Sequence, residues 1–386
     1  MGLRFREVLR CARAGWVHAL LIASLAWIAA SCSQPGSSDQ TEASLADRMA
    51  ALQIEHPDVP GFSIVLQLDD DTIVSAATGV ASPDGTPMLP ETPVRIASIT
   101  KTFVAATVLS LMEDGLLDLD APIAGLITPA HNDVLIADGY DTEAIKVRHL
   151  LTHVSGMPDH AGERYIQMVV EEPDRVWTRA DQIEVLVTLD DPLGTPATRF
   201  KYSDTGYVLL GDIIERTAGE PLPAVVRERM KFADLGLDHV WWDELEPETT
   251  SGAARAHQYM EGMPTFELNG TMDAYGGGGL VASTEDMVRF YRALFEGKIF
   301  NSAETLEMMI TAPGHPFPDS YRFGLFPTRI DDIDAFSHSG FWGTYAIHVP
   351  ELGITAAGVA LDQSGYRAMR STIDEIIAEC GRDEHS

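Results

Sequence analysis

The sequence predicts an α/β (α+β) protein in which an antiparallel sheet flanked by helices is assembled from both ends of the chain, with an all-α insertion between them. Two observations carry this: β-rich runs fall near both ends, at 62–68, 72–78, 341–348 and 353–361, and the stretch 136–249 is patterned for helices. A third is size, since 386 residues at 45% hydrophobic content suffice for a substantial core.

Leu45, Met49, Leu52 and Ile54 have helical spacing, and Pro60-Gly61 ends that segment. The runs 62–68 and 72–78 flank Asp69-Asp70-Asp71 and read as a hairpin; the three aspartates lack the alternating ligands of a calcium loop. From 98 to 114 the pattern is helical, with Val104, Val108, Leu111 and Met112 on one face and Gly115 as the stop. In the insertion, 147–152, 180–189 and 207–217 read as helices, and Trp241-Trp242 is expected to pack inside that domain. Gly276 to Gly279 predicts a tight backbone corner rather than a phosphate cradle, because no Gly-Lys-Ser/Thr follows. A helix over 284–295, two strands joined at Pro350-Glu351 and a closing helix over 366–379 complete the chain. His338 to Phe341 is expected to open a strand. The organisation that follows is a signal segment over 1–31, a tether over 32–41, an α/β domain from 42–135 plus 250–386, and an all-α domain over 136–249.

Residues 1–31 have the order of an export signal: Arg4, Arg6, Arg10 and Arg13, then an apolar run, then Ala29-Ala30-Ser31. Cys32 and the polar stretch after it resemble a bacterial lipoprotein processing site, which implies lipidation at Cys32 and a periplasmic protein attached to a membrane. Of the other cysteines, Cys11 leaves with the signal, and no disulfide is expected for Cys380. The formal charge of −31 becomes −34 without the four arginines and one glutamate of the signal, which disfavours a nucleic-acid partner.

The sharpest chemical motif is Ser98-Ile99-Thr100-Lys101. Residues three apart share a helix face, so the Lys101 amine can reach the Ser98 hydroxyl. A serine is a poor nucleophile until a base takes its proton, and lysine serves as that base only where its surroundings lower its pKa. Tyr202, in Tyr202-Ser203-Asp204, supplies a phenol able to relay a proton, and Gly340 in His338-Ser339-Gly340-Phe341 allows close approach of a substrate backbone. His153 reads as structural, and His153 and His160 lack the spacing of a helical zinc pair.

These three ordered motifs resemble those of the superfamily that holds class C beta-lactamases, DD-peptidases and serine esterases, and the similarity runs from about residue 42 to the C-terminus. The resemblance implies a beta-lactamase/transpeptidase-like fold, an acyl-enzyme on Ser98, Lys101 as proton acceptor and Tyr202 as relay. It also implies an oxyanion hole from the Ser98 and Phe341 amides, with His338, Ser339, Gly340 and Asp204 lining the cleft, and neither metal nor cofactor. Two positions depart from the pattern: Asp204 stands where Asn is usual and would raise the Lys101 pKa, and His338 replaces a permanently charged lysine. Both changes point to an esterase or a peptidase of D-amino-acid substrates, small or derived from peptidoglycan. A beta-lactamase and a non-hydrolytic penicillin or peptidoglycan sensor are the alternatives.

Overall fold

A computed structural model describes residues 37–249 and 254–384, so the expected signal segment and Cys32 lie outside the described residues. Of the expected tether, 37–41 belongs to the first helix.

In chain order the helices are α1 (Ser37–Glu55), α2 (Thr100–Glu113), α3 (Pro129–Ala137), α4 (Val147–Leu151), α5 (Glu163–Glu171), α6 (Arg179–Leu189), α7 (Asp204–Ala218), α8 (Leu222–Arg229), α9 (Thr284–Phe295), α10 (Ala303–Thr311) and α11 (Tyr366–Glu384). The strands are β1 (Gly61–Gln67), β2 (Ile73–Gly79), β3 (Val94–Arg95), β4 (Trp241–Trp242), β5 (Tyr259–Met260), β6 (Met263–Pro264), β7 (Leu280–Ala282), β8 (Phe326–Ile330), β9 (Ile333–Gly340), β10 (Thr344–Val349) and β11 (Ile354–Ala360).

The main sheet has the order β2-β1-β11-β10-β9-β8 and is antiparallel throughout. The pairing of β1 against β11, with Phe62 opposite Ala360, joins the two ends of the chain. β11 is buried along its whole length because α9 covers one face of the sheet while α1 and α11 cover the other. That coverage explains its unbroken apolar sequence, which lacks the alternation of a half-exposed strand. On the α1 side, Leu45, Met49 and Leu52 belong to the core that α1 forms with β2, β1 and α11, whereas Ile54, of similar spacing, is 79% exposed. The other face continues through α2 and α9 into α3, α4, α6, α7 and α8, forming one contiguous core, while Tyr165 and Val169 of α5 join a smaller cluster with Trp177 and Trp342.

Three local expectations are corrected. His338 to Gly340 closes a strand instead of opening one: β9 ends at Gly340, a turn with Gly343 at φ +84° follows, and β10 begins at Thr344. The polar sequence Ser-His-Ser hid that strand, since its residues are held by pairing with β10 rather than by an apolar pattern. Trp241 and Trp242 form β4, paired to Val281 and Leu280 of β7, so they belong with the strands. Ser98 lies in a 3₁₀ turn, Ala97–Ile99, immediately before α2.

Candidate active site

Ala97 adopts φ +45°, a left-handed conformation unfavourable for alanine, and this corner sets Ser98 at the mouth of α2 with its side chain partly exposed. One turn along, Lys101 is fully buried. Its Nζ donates to Ser98 Oγ at 2.9 Å and to the Gly277 carbonyl, and it lies 2.6 Å from Asp204 Oδ1. The ammonium thus donates to Ser98 and to the Gly277 carbonyl and is held against Asp204 as an ion pair. The Tyr202 phenol completes the group, hydrogen-bonded to both Ser98 and Lys101.

Burial alone would pull the Lys101 ammonium down. The Asp204 carboxylate and Tyr202 outweigh it and hold Lys101 above its ordinary range. The resting site therefore holds an ion pair, and Lys101 offers Ser98 no free lone pair. Tyr202 is pushed up by burial and stays a neutral phenol.

Four chain segments build this constellation. Ser203 caps α7 by accepting from the Gly206 N–H and donates its hydroxyl to the Pro158 carbonyl, while the Ser203 N–H donates to His153 Nδ1 at 3.2 Å. The His153 ring also stacks on Tyr202 with centroids 4.2 Å apart, so His153 positions the phenol from behind. At the glycine corner, Gly276 takes φ +121°, and a side chain on Gly278 would collide with the Asp273 carboxylate. The corner brings the Gly277 carbonyl to Lys101, a role that the sequence left as a turn.

His338 is buried, with Nε2 bonded to the Tyr321 hydroxyl at 2.9 Å and Nδ1 to the Ser339 carbonyl at 2.9 Å. Burial, helped by Lys101, lowers its pKa to about 3, so the ring is neutral. Both nitrogens are committed away from Ser98, and the His338 ring lies 6.4 Å from that of Tyr202. Ser339 is partly exposed on β9, and Phe341, 46% exposed, stands on the rim next to Trp342. A side chain at Gly340 would strike the Ile96 carbonyl and Thr344, so only glycine lets β9 pass this close to the Ser98 corner.

Beside Ser98 opens a cleft of about 170 Å³. Its lining brings in residues that motif reading passed over: Asp159, Asp273, Gln182 and Trp342. Asp159 accepts from the Asp204 N–H at 3.0 Å, and both Asp159 and Asp273 are pushed up, first by burial and then by the Asp204 charge, Asp273 to about 7. Their only sequence signal is an aspartate beside a recognisable turn, too common to single out. Among the described residues no group of His, Cys, Asp or Glu is arranged to hold a metal ion. The arrangement provides a hydroxyl nucleophile, a lysine–aspartate proton pair and a phenol above a walled cleft, the parts needed for acyl transfer.

Comparison with known proteins agrees with that chemistry. The family model described as beta-lactamase matches residues 44–378. Penicillin-binding protein 4* of Bacillus subtilis (strain 168) is 26% identical over 65% of this chain and 56% of its own length. A D-aminopeptidase of Gluconobacter oxydans (strain 621H) is 24% identical over 81% of this chain and 57% of its own length. The chain thus spans somewhat over half the length of these curated relatives. The D-amino acid amidase of Ochrobactrum anthropi SV3, solved with L-phenylalanine amide, shares the fold with a TM-score of 0.73 at 24% identity, over 91% of this chain and all of that one.

Proposed function

The chain belongs to the beta-lactamase family and is a beta-lactamase-related serine hydrolase, and we propose that it hydrolyses ester or D-amino-acid amide bonds through an acyl-enzyme on Ser98. The observation that carries this reading is the continuous path Ser98 Oγ to Lys101 Nζ to Asp204 Oδ1, at 2.9 and 2.6 Å. In acylation, Ser98 Oγ bonds to the substrate carbonyl carbon, and the carbonyl π electrons move to its oxygen, facing the Ser98 and Phe341 amides. The serine proton passes to Lys101 as Lys101 passes one to Asp204, so the ammonium never has to be lost beforehand. On collapse, Tyr202 gives its proton to the leaving group and is reprotonated from the Lys101–Asp204 pair. Water then repeats the sequence to release the acid.

A neutral His338 offers no cation for a substrate carboxylate, which supports esters and amides over beta-lactams. The D-aminopeptidase and D-amino acid amidase names among the similar proteins support the same choice. The export reading completes the proposal: acylated at Cys32, the enzyme is held at a membrane in the periplasm, where peptidoglycan-derived substrates occur. The N-terminal peptide of protein from the membrane fraction is then expected to begin at Cys32 with added acyl mass; a peptide retaining residues 1–31 would refute it.

A fluorophosphonate tests the nucleophile. A single adduct on the Ser98 peptide is expected, together with loss of at least about 10⁴-fold in turnover for Ser98→Ala at an unchanged melting temperature. Full activity in that variant would refute the mechanism.

A further inference from the structure

We infer that the cleft beside Ser98 is built for an acyl group carrying a free, positively charged amine, read by Asp159, Asp273 and Gln182. The inference rests on Ser98 as the acyl acceptor and specifies what it is acylated by.

Charge is the first ground. Asp159, Asp204 and Asp273 all line the cleft, and no lysine or arginine does. Lys101, just behind the lining, pairs with Asp204. Asp159 is tied to the same place through the Asp204 N–H, and Asp273 accepts from the Trp342 indole at 3.4 Å. Two carboxyls are left facing a partly buried cavity without a counter-ion. His160, the remaining titratable nitrogen of the lining, is held neutral by burial and cannot serve as one. A ligand carboxylate or phosphate would be repelled here, whereas an ammonium would relieve the repulsion among the carboxyls.

The second ground is independent of charge. Gln182 is 1% exposed, and its Nε2 donates to the backbone carbonyls of Met272 at 3.0 Å and Thr271 at 3.3 Å. Flipping the amide would set its oxygen against those two carbonyl oxygens, so the orientation is fixed. Its Oε1 is buried and accepts no hydrogen bond, the neighbouring Tyr165 hydroxyl being donated to the Met272 carbonyl at 2.8 Å, and Gln182 lines the cleft. A buried acceptor without a donor is unfavourable, and an N–H brought by a ligand removes that deficit. Gln182 thus asks for a donor where Asp159 and Asp273 ask for a cation, and an ammonium is both.

The rest of the lining is hydrocarbon, including Ile166, Val208 and Met272, with Trp342 and the exposed Phe341 at the rim. An amine bordered by apolar surface and adjacent to a carbonyl within reach of Ser98 describes an amino-acid ester or amide with an unblocked α-amine. The carboxylates are not grouped to hold a metal ion among the described residues, which removes the competing occupant of an acidic pocket.

Binding to the full-length Ser98→Ala protein separates this inference from the catalytic proposal, because it requires no turnover. Calorimetry at pH 7 would compare both enantiomers of phenylalaninamide with N-acetylphenylalaninamide and with 3-phenylpropanamide, which lacks the amine. The tighter enantiomer is expected to bind at least tenfold more strongly than either control. Asp273→Asn, and separately Asp159→Asn, should remove most of that preference while leaving 3-phenylpropanamide binding unchanged; melting curves verify that each variant is folded. Equal binding of the acetylated or amine-free amide, or a preference that survives both substitutions, would overturn the inference even if fluorophosphonate labels Ser98. Failure of that labelling with the amine preference intact would instead sink the catalytic mechanism.

Discussion

Two clusters beside Ser98, an acidic wall that lines the cleft and an aromatic wall that packs behind Tyr202, with His338 outside the cleft lining, experience the same burial and respond to it in opposite ways. On one, Asp159 and Asp273 are driven toward their neutral form while Lys101 keeps its charge beside the Asp204 carboxylate, 2.6 Å away. On the other, His153 and His338 lose their charge, and Tyr202 and Tyr321 keep their protons. The difference lies in partners. The histidines meet neutral hydroxyls, carbonyls and aromatic faces, whereas Lys101 meets a carboxylate. Burial removes a charge only where no opposite charge has been buried with it. The aromatic wall is thus a rigid backing that aims Tyr202, and the acidic wall holds the mobile protons.

Substitution of the aromatic wall's one reacting group tests that division most strongly. Tyr202→Phe keeps the stacking on His153 and deletes the hydroxyl, so amide hydrolysis should fall about 10²–10³-fold. A p-nitrophenyl ester, whose leaving group needs no proton, should lose far less. Equal losses on both substrates would place Tyr202 in orientation and not in proton transfer.

Asp204→Asn acts on the other wall with a smaller effect. Without the carboxylate, burial is no longer opposed and the Lys101 pKa falls. Fluorophosphonate labelling of Ser98 should then be roughly tenfold slower than in the unaltered protein at pH 7 and should recover as pH rises and Lys101 becomes a free amine. A pH profile identical to that of the parent protein would show that the ion pair does not govern the proton path.

The smallest effect is on stability. Asp273 titrates at about 7 in the folded protein against an ordinary value of 3.8, so the native state binds a proton that the unfolded chain has released between those values. Folding stability contributed by this group is complete below about pH 4 and is lost as pH rises through 7. Asp273→Asn should therefore raise the unfolding free energy by about 1–3 kcal/mol at pH 8 and by little at pH 4. An equal change at both pH values would mean that hydrogen bonding, rather than charge, dominates at this site.

Much of this was legible in the chain. The spacing of Ser98 and Lys101 predicts that they meet, and they do at 2.9 Å, although Ser98 sits in the 3₁₀ turn before α2 and not in the helix itself. The apolar β11 and the helix patterns of α2, α7 and α11 likewise announce themselves, because local periodicity reflects local burial. The strand ending at Gly340 was misread because its residues are held by a neighbour distant in sequence, and Ile54 shows that helical spacing alone does not bury a residue.

The sequence by itself therefore determined the fold class, the meeting of Ser98 with Lys101, and the conflict between Asp204 and a free base. Only the tertiary structure decided that His338 turns its nitrogens to Tyr321 and the backbone, that Gly277 lends a carbonyl to Lys101, and that Asp159, Asp273 and Gln182 meet at one cleft. The reason is physical: a motif encodes neighbours along a helix or strand, whereas charge state and hydrogen-bond satisfaction depend on groups brought together from distant segments, which no local spacing records.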